Sequence, residues 1–478
     1  MNAREIFYSK DLENMRRMIK DRKVLIGVIG LGSIGAVVAS AFLFKGFKVV
    51  GIDKRRDDIV RMIKKKSKDL HQEDVVRKIL MESFGKKFFV EEPKPEVISD
   101  LDVYIVIVPV EWRNDHVDTS VLEEVSEIIG RNMRRGSLFI LESSVPPGTT
   151  RRISRDFLER FSGMIAGEDF GVAYSPERVS LGRAFEDLVY RYPKIVSGIN
   201  DLSLEAVENL YNTVVEKGVL RASSLETAEF TKLIEGVYRD VNIALANSLA
   251  EIASLIGVDF WEARELANTQ PYSHIHMPGT GVGGVCLPNY PWFLISLAEV
   301  FDKKCWCRDI IKIARDINSS QPKRVVEKII EGLNMLEIKD YKNVKICILG
   351  LSYRGDIYDI RGSPSIEIAR SLREKGFEKI FIHEPYLSKD NLDLGDKIVA
   401  TKDLEECIRG SNVILISTDH SVYKDLDIKK IKELAEEKKM LIYDGRNMIK
   451  TLEVVDRETE ILYGGSRKKL EKTIILLC

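Results

Sequence analysis

One thiol stands in an unusual setting. The stretch PGTGVGGVCLPNYPWFL (278–294) places Cys286 behind four glycines, Gly279, Gly281, Gly283 and Gly284. Glycine-rich loops let backbone N–H groups close on a ligand, and donors of that kind stabilise a thiolate. Cys286 therefore reads as a nucleophile. The alternative is a packing role, since an unpaired cysteine is commonly a small core hydrophobe. His274 and His276 precede it, but H-x-H plus one cysteine leaves zinc a ligand short, so no metal is expected.

A second constellation is phosphate-binding in type. Gly30–Leu31–Gly32–Ser33–Ile34–Gly35 is G-x-G-x-x-G, directly after the apolar run VLIGVI, and Asp53 closes the next apolar run, FKVVGID. The first glycine permits a tight turn, the second lets a pyrophosphate approach the backbone, and the third packs helix on strand. The helix N-terminus, with Ser33 and Ile34, then faces the phosphates, and Asp53 accepts from ribose hydroxyls. An acid there disfavours a 2′-phosphate, so the expected cofactor is NAD. Lys54–Arg55–Arg56 is the counter-signal, either a 2′-phosphate clamp or a solvated turn. A dinucleotide site joined to a thiolate suggests a dehydrogenase that passes an aldehyde through a covalent thioester to an acid.

These residues need elements to position them. VLIGVIGLGSIG leading to KGFKVVGIDKR is echoed by VKICILGLSYRG (344–355) leading to IEIARSLREKGFEKIFIHEP (366–385). The echo continues from DVYIVIVPV (102–110) to NVILISTDH (412–420), and from SLFILESSVPPG (137–148) to KMLIYDGRN (439–447). Each is the opening of a βαβ unit. The expected fold is α/β, two Rossmann-like, doubly wound parallel-sheet domains, over 24–215 and 322–478. The second turn carries Ser352 in place of the middle glycine, so that domain takes a different phosphate-bearing ligand or none.

Between them, 216–321 reads as a central helical domain holding the Cys286 loop. Residues 223–257 read as one long helix, with Ser223 and Glu226 as a capping box and Gly257 at the stop. Its apolar stripe includes Phe230, Leu233, Ile234, Val237 and Val241. At ~1.5 Å per residue it is long enough to bridge two domains or carry a dimer interface.

Lys+Arg 73 against Asp+Glu 74 gives a net charge of −1, with 44% hydrophobic and 31% charged residues. That composition excludes disorder and gives no global attraction to nucleic acid or an anionic membrane. Val24–Phe44 is uncharged over 21 residues and could be mistaken for a membrane span, but the glycine turn inside it has a better explanation. Residues 1–23 are charged and helical in pattern, unlike a signal peptide, and are expected to form a surface helix. Six cysteines (Cys286, Cys305, Cys307, Cys347, Cys407, Cys478) suggest no disulfide framework, hence a reducing, cytoplasmic compartment, with hyperthermophiles as the exception.

Taken in order, GLGSIG with Asp53, ESSVPPGTT (142–150), SPERVSLG (175–182), TAEFTKL with YRDVNIALAN (227–247), PGTGVGGVCLP (278–288), SYRGDIYDIRGSP (352–364) and DGRN (444–447) resemble the UDP-glucose/GDP-mannose dehydrogenase family. YRDVNIALANSLAEIA is most similar to the branch acting on UDP-N-acetylhexosamines, especially UDP-N-acetylmannosamine. The resemblance implies two successive NAD-dependent oxidations at sugar C6, through a thiohemiacetal and a thioester on Cys286, to a uronic acid. It implies that Lys232 stabilises the oxyanion, that Glu177 activates water and that Ser144 holds that water. It further implies that Arg361 reaches toward NAD, that Arg178, Gly281, Gly283, Gly284 and Arg354 meet the nucleotide sugar, and that the chain dimerises through the long helix.

The sequence departs from that pattern. Tyr290 stands where the family has an Asp base, Gly236 where it has an oxyanion-binding Asn, Val285 where it has a loop His, and Tyr272 where a partner-subunit Arg grips the substrate. Arg354 replaces a Lys, and Val108–Pro109–Val110–Glu111 replaces VPTP. A lost oxyanion donor costs ~10²–10³ in rate, and a lost general base ~10²–10⁴. UDP-glucose as substrate, a single oxidation, or a paralogue that binds both ligands without turnover are the alternative expectations.

Overall fold

The computed structural model describes residues 6–387, 392, 394–426, 428–436 and 440–449, plus the backbones of strands Thr459–Tyr463 and Thr473–Leu477. Cys478, the first five residues of the 1–23 extension and much of the 450–478 end of the second α/β domain lie outside them. The chain divides into two compact units, 1–235 and 236–478.

In the first unit the run 24–44 is split by its glycines into strand Leu25–Ile29 and helix Ser33–Phe44. No helix among the described residues is long and apolar enough to cross a membrane. The strand enters an eight-stranded sheet in the order Val219–Arg221, Lys194–Gly198, Gly171–Tyr174, Leu138–Leu141, Val103–Val106, Leu25–Ile29, Lys48–Ile52, Phe88–Glu91. All pairs are parallel except Gly171–Tyr174 against Lys194–Gly198. Strand residues alternate between two cores, Ile26, Val28, Val103 and Ile105 on one side, Ile29, Tyr104, Val106 and Phe139 on the other. That alternation is what a sheet covered by helices on both faces requires. The chain reverses winding direction beside Leu25–Ile29, the switch point where doubly wound folds bind ligands.

The amino-terminal segment is not a surface helix. Helix Leu12–Lys20 forms, but Phe7, Tyr8, Met15, Met18 and Ile19 are buried in the core of the first unit. The Tyr8 hydroxyl donates to the Gly167 carbonyl at 3.0 Å, and its N–H to the Gly136 carbonyl at 2.7 Å. Reading the charges of this segment without its apolar stripe hid this packing.

The second unit repeats the architecture. Its seven-stranded, all-parallel sheet runs Ile398–Thr401, Lys379–His383, Lys345–Leu349, Val413–Ile416, Met440–Asp444, Thr473–Leu477, Thr459–Tyr463. Ile346, Ile348, Val413 and Leu415 face one core, Cys347, Leu349, Ile414 and Ile416 the other. The two echoed stretches are thus two doubly wound sheets.

The long helix spans Leu225–Ile256. Its cap is Ser224 rather than Ser223: the Ser224 hydroxyl accepts from the Thr227 N–H at 3.0 Å, while Glu226 pairs outward with Arg151 at 2.7 Å. Gly257 ends it with φ +74°. The expectation of no disulfides is corrected. Cys347 and Cys407, 60 residues apart, are joined at a Cα–Cα distance of 5.3 Å, and Cys305 is joined to Cys307. Sequence spacing carries no sign of the first pair, because only folding brings a strand residue against Cys407 on helix Leu404–Ile408.

Candidate active site

The G-x-G-x-x-G turn has the shape a dinucleotide needs. Gly30 takes φ +95°, and a side chain there would strike the Ile107 carbonyl, as one on Gly35 would strike that of Gly30. Above Gly32, by contrast, a Cβ would meet nothing within 4 Å. Gly32 and Ser33 are exposed and Ile34 half-buried, so the open face lies where the helix N–H groups point. Asp53 accepts from the Leu31 N–H at 3.0 Å and the Arg55 N–H at 2.8 Å. Lys54 pairs with Glu124, Arg55 with Asp53 and Arg56 with Asp57. The basic run is therefore tied to carboxylates, which fits NAD and weakens its reading as a phosphate clamp. These residues fit the dinucleotide: the turn cradles pyrophosphate, and Asp53 takes the ribose.

The same unit assembles a polar cluster around Glu177. Lys232, on the long helix, donates to the Glu177 carbonyl oxygen. The Glu177 carboxylate turns inward, Oε1 accepting from the Arg178 N–H at 2.8 Å and Oε2 from Lys194 Nζ at 2.6 Å. Arg178 Nε reaches Glu235 at 2.7 Å. Ser144 is half-buried just beyond strand Leu138–Leu141, and its neighbour Ser143 is bonded to Val108 through both backbone groups, at 2.9 and 2.7 Å. That ties ESSVPPG to the Val108–Glu111 turn. Glu177, Lys232 and Arg178 are thus brought together. Lys194, which the sequence reading missed, is the buried partner of Glu177; the available signal was a lysine opening an otherwise apolar strand, KIVSG.

Long-helix residue Glu229 is also buried. It accepts from the N–H of Gly148 at 2.6 Å and of Thr150 at 2.8 Å, and burial raises its pKa to about 7. This carboxylate docks the long helix on the segment that follows Ser144.

In the second unit Cys286 is exposed and begins helix Cys286–Phe301. Unpaired N–H groups of a helix start favour negative charge on that sulfur as it reacts. The glycines before it seat the loop on SYRGDIYDIRGSP: a Cβ on Gly283 would lie 2.5 Å from Tyr353 Cβ and 2.6 Å from the Gly362 carbonyl, and one on Gly284 3.1 Å from the Tyr353 ring. The Gly284 N–H donates to the Arg361 carbonyl at 2.9 Å, so this donor serves the protein itself. Gly281, at φ +150°, abuts Pro364. Arg361 forks onto Asp359 at 2.9 and 2.6 Å, and Arg354 is half-buried in the same segment. Burial, then the charge of Asp359, raises the Tyr353 pKa, and Cys286 contributes to that field. Cys286, the three glycines, Arg354 and Arg361 therefore form one locus.

That locus rests on a buried network that the sequence did not reveal. Arg315 Nη1 lies 2.6 Å from Asp240 Oδ1, both buried, and 3.4 Å from the Leu287 carbonyl. Asn318 and Asn247 extend it to the Gly279 N–H. Among the described residues no cluster could hold a metal ion. In the second glycine turn the Leu351 and Ser352 N–H groups donate to Glu384 at 3.1 and 2.8 Å, so a carboxylate of the protein satisfies these two donors. Tyr272, by contrast, is 92% exposed.

Two doubly wound domains, one with an open dinucleotide turn and the other adjoining a glycine-seated thiol, define a nucleotide-dependent dehydrogenase. The chain belongs to the UDP-glucose/GDP-mannose dehydrogenase family, NAD-dependent enzymes of nucleotide sugars: its NAD binding domain matches 24–215, its central domain 226–320 and its UDP binding domain 347–451. The chain is 36% identical over 428 residues to a UDP-N-acetyl-D-mannosamine dehydrogenase from Pyrococcus horikoshii, covering 89% of this chain and 96% of that protein. Among solved structures it is similar to UDP-D-ManNAc dehydrogenase from Pyrococcus horikoshii (TM-score 0.78, 35% identity, 89% of this chain and 96% of that one). It is also similar to a UDP-N-acetyl-mannosamine dehydrogenase from S. aureus (TM-score 0.74, 29% identity, 89% and 96%).

Proposed function

We propose that this protein is an NAD-dependent nucleotide-sugar 6-dehydrogenase acting on a UDP-N-acetylhexosamine, UDP-N-acetylmannosamine first among them, and yielding the uronic acid. The observation that carries the reading is the exposed Cys286 thiol at a helix start, the one free cysteine among the described residues. The names of the relatives support the choice of sugar.

NAD supplies the hydride acceptor, two molecules per sugar. Gly30, Gly32, Ser33, Ile34, Gly35 and Asp53 would hold it, and the family resemblance assigns Arg361 to it as well. After the first oxidation the Cys286 sulfur adds to the aldehyde carbon, forming a C–S bond, and Lys232 stabilises the oxygen that becomes anionic. The second oxidation turns this thiohemiacetal into a thioester. Water, held by Ser144, then attacks while Glu177 takes its proton; the C–O bond forms, the C–S bond breaks and the thiolate leaves. Arg178, Arg354 and the loop of Gly281, Gly283 and Gly284 meet the UDP-sugar.

The long helix leaves Phe230, Ile234, Tyr238, Leu245 and Ile252 exposed, and a second copy of the chain covers them in a homodimer. Work on a nucleotide sugar with NAD supports a cytoplasmic location. Its disulfides suit the intracellular proteins of hyperthermophiles.

The test is purified protein with NAD and a panel of UDP-, GDP- and dTDP-sugars, counting NADH per sugar. Two NADH from UDP-N-acetylmannosamine are expected. One would reduce the reaction to a single oxidation, and none with any sugar, despite calorimetric UDP binding, would leave a binding paralogue.

A further inference from the structure

Behind Glu177 lies a chain of buried polar groups that the reaction above does not use. Lys194 Nζ sits 2.6 Å from Glu177 Oε2 and 3.1 Å from Glu142 Oε1, and all three side chains are nearly or wholly excluded from solvent. The Tyr211 hydroxyl donates to Glu142 Oε1, and its ring centroid lies 5.1 Å from the Lys194 ammonium. Glu142 Oε2 has no hydrogen-bond partner. A buried ammonium serving two carboxylates is expensive to build, and removing one partner of such a pair costs several kcal/mol.

The elements make the arrangement rigid. Lys194 opens a strand, Glu142 directly follows another, and Tyr211 ends helix Asp201–Tyr211. The other charged groups at Glu177 are Lys232, bound to its carbonyl, and Arg178, bound to Glu235. The carboxylate itself is gripped by Lys194 Nζ on one oxygen and the Arg178 N–H on the other.

We propose that Lys194 is a positioning residue for the hydrolytic half-reaction, holding the Glu177 carboxylate aimed while Glu142 and Tyr211 anchor the ammonium from behind. The inference rests on the reading of Glu177 as the group that activates water. Electrostatics agree with the geometry. Burial would push the Lys194 pKa down, but the two carboxylates reverse this and raise it. Burial raises the Glu142 pKa, with Lys194 drawing it partly back and Glu177 adding to the rise.

The experiment compares wild type, Glu177→Gln, Lys194→Arg and the double variant Lys194→Met/Glu142→Gln, which removes the cation and its second carboxylate together. The substrate is UDP-N-acetylmannosamine with NAD. The readouts are the pH profile of kcat and the acid-quenched protein mass, which detects a sugar thioester on Cys286. In the double variant the acid limb of the profile should rise by about one pH unit and kcat should fall about tenfold or more. The thioester adduct should accumulate, KM should hold, and Lys194→Arg should restore the limb. If the double variant does not fold, Lys194→Gln is read in the same way.

A folded variant with an unmoved acid limb and no adduct, beside a Glu177→Gln that does accumulate adduct, would overturn the role of Lys194 alone. A Glu177→Gln that hydrolyses at the wild-type rate would instead remove the reading of Glu177, and the inference with it.

Discussion

Tyr290 lies against Gly236, its ring where a side chain on residue 236 would stand. A Cβ there would overlap Cδ2 of the ring and lie 3.2 Å from Cε2. Gly236 is inside a 32-residue helix, where glycine costs about 1 kcal/mol relative to alanine. Tyr290 is buried, one helical turn beyond the exposed Cys286. The two departures from the family resemblance at these positions are therefore a single exchange of volume: the ring fills what the missing side chain leaves.

That relationship predicts a change of sign. Gly236→Ala in the wild-type background should destabilise the protein by about 1–3 kcal/mol, because the ring must move. In a Tyr290→Ala background the same substitution should be stabilising by up to about 1 kcal/mol, the ordinary helix preference. Denaturant unfolding of the four proteins in the cycle measures both, and equal effects in the two backgrounds would show that the ring is not what Gly236 accommodates.

Cys286→Ala should lower uronate formation by at least about 10³-fold, since no other group on that loop can carry the acyl intermediate. UDP binding, measured by calorimetry, should persist within about threefold, because the substitution removes only a small exposed side chain. Retained uronate formation would end the thioester reading.

Stability should fall as pH rises through neutrality, and Glu229 should account for much of the fall. Its folded pKa, about 7, lies above the ordinary value of 4.5. Its contribution is therefore fully present below about pH 4.5 and is lost as pH climbs through 7. Glu229→Gln should flatten the decline between pH 5 and pH 8 by about 3 kcal/mol, at ~1.36 kcal/mol per pH unit. Unfolding free energies at several pH values check it, and a variant with an unchanged slope would place the dependence elsewhere.

Thiol titration of the native protein should find Cys286 reacting quickly, with Cys347 and Cys407 silent until the chain is unfolded and reduced. Their bond closes a loop of 60 residues, for which the chain-entropy relation gives about 4 kcal/mol. Cys347→Ala/Cys407→Ala should therefore lower Tm by several degrees without changing the fast-reacting thiol. Rapid labelling of Cys347 in the folded wild type would contradict the bond.

The glycine turn with Asp53, the two βαβ echoes, the helix stop at Gly257 and the glycine-rich setting of the thiol at 286 were all legible in the sequence by itself. Each is decided by local chemistry: which residues tolerate positive φ, where apolar side chains repeat, and which motif follows a strand. Tertiary structure alone decided the rest. It buried Phe7, Tyr8 and Met15 in a core the sequence left open, paired Cys347 with Cys407, set Lys194 between Glu142 and Glu177, and pressed the Tyr290 ring onto Gly236. These partners are separated by 17 residues at the least and share no repeat, so no local pattern specifies them. They meet because closing a doubly wound sheet leaves buried charges to be matched and gaps to be filled at near-crystal density.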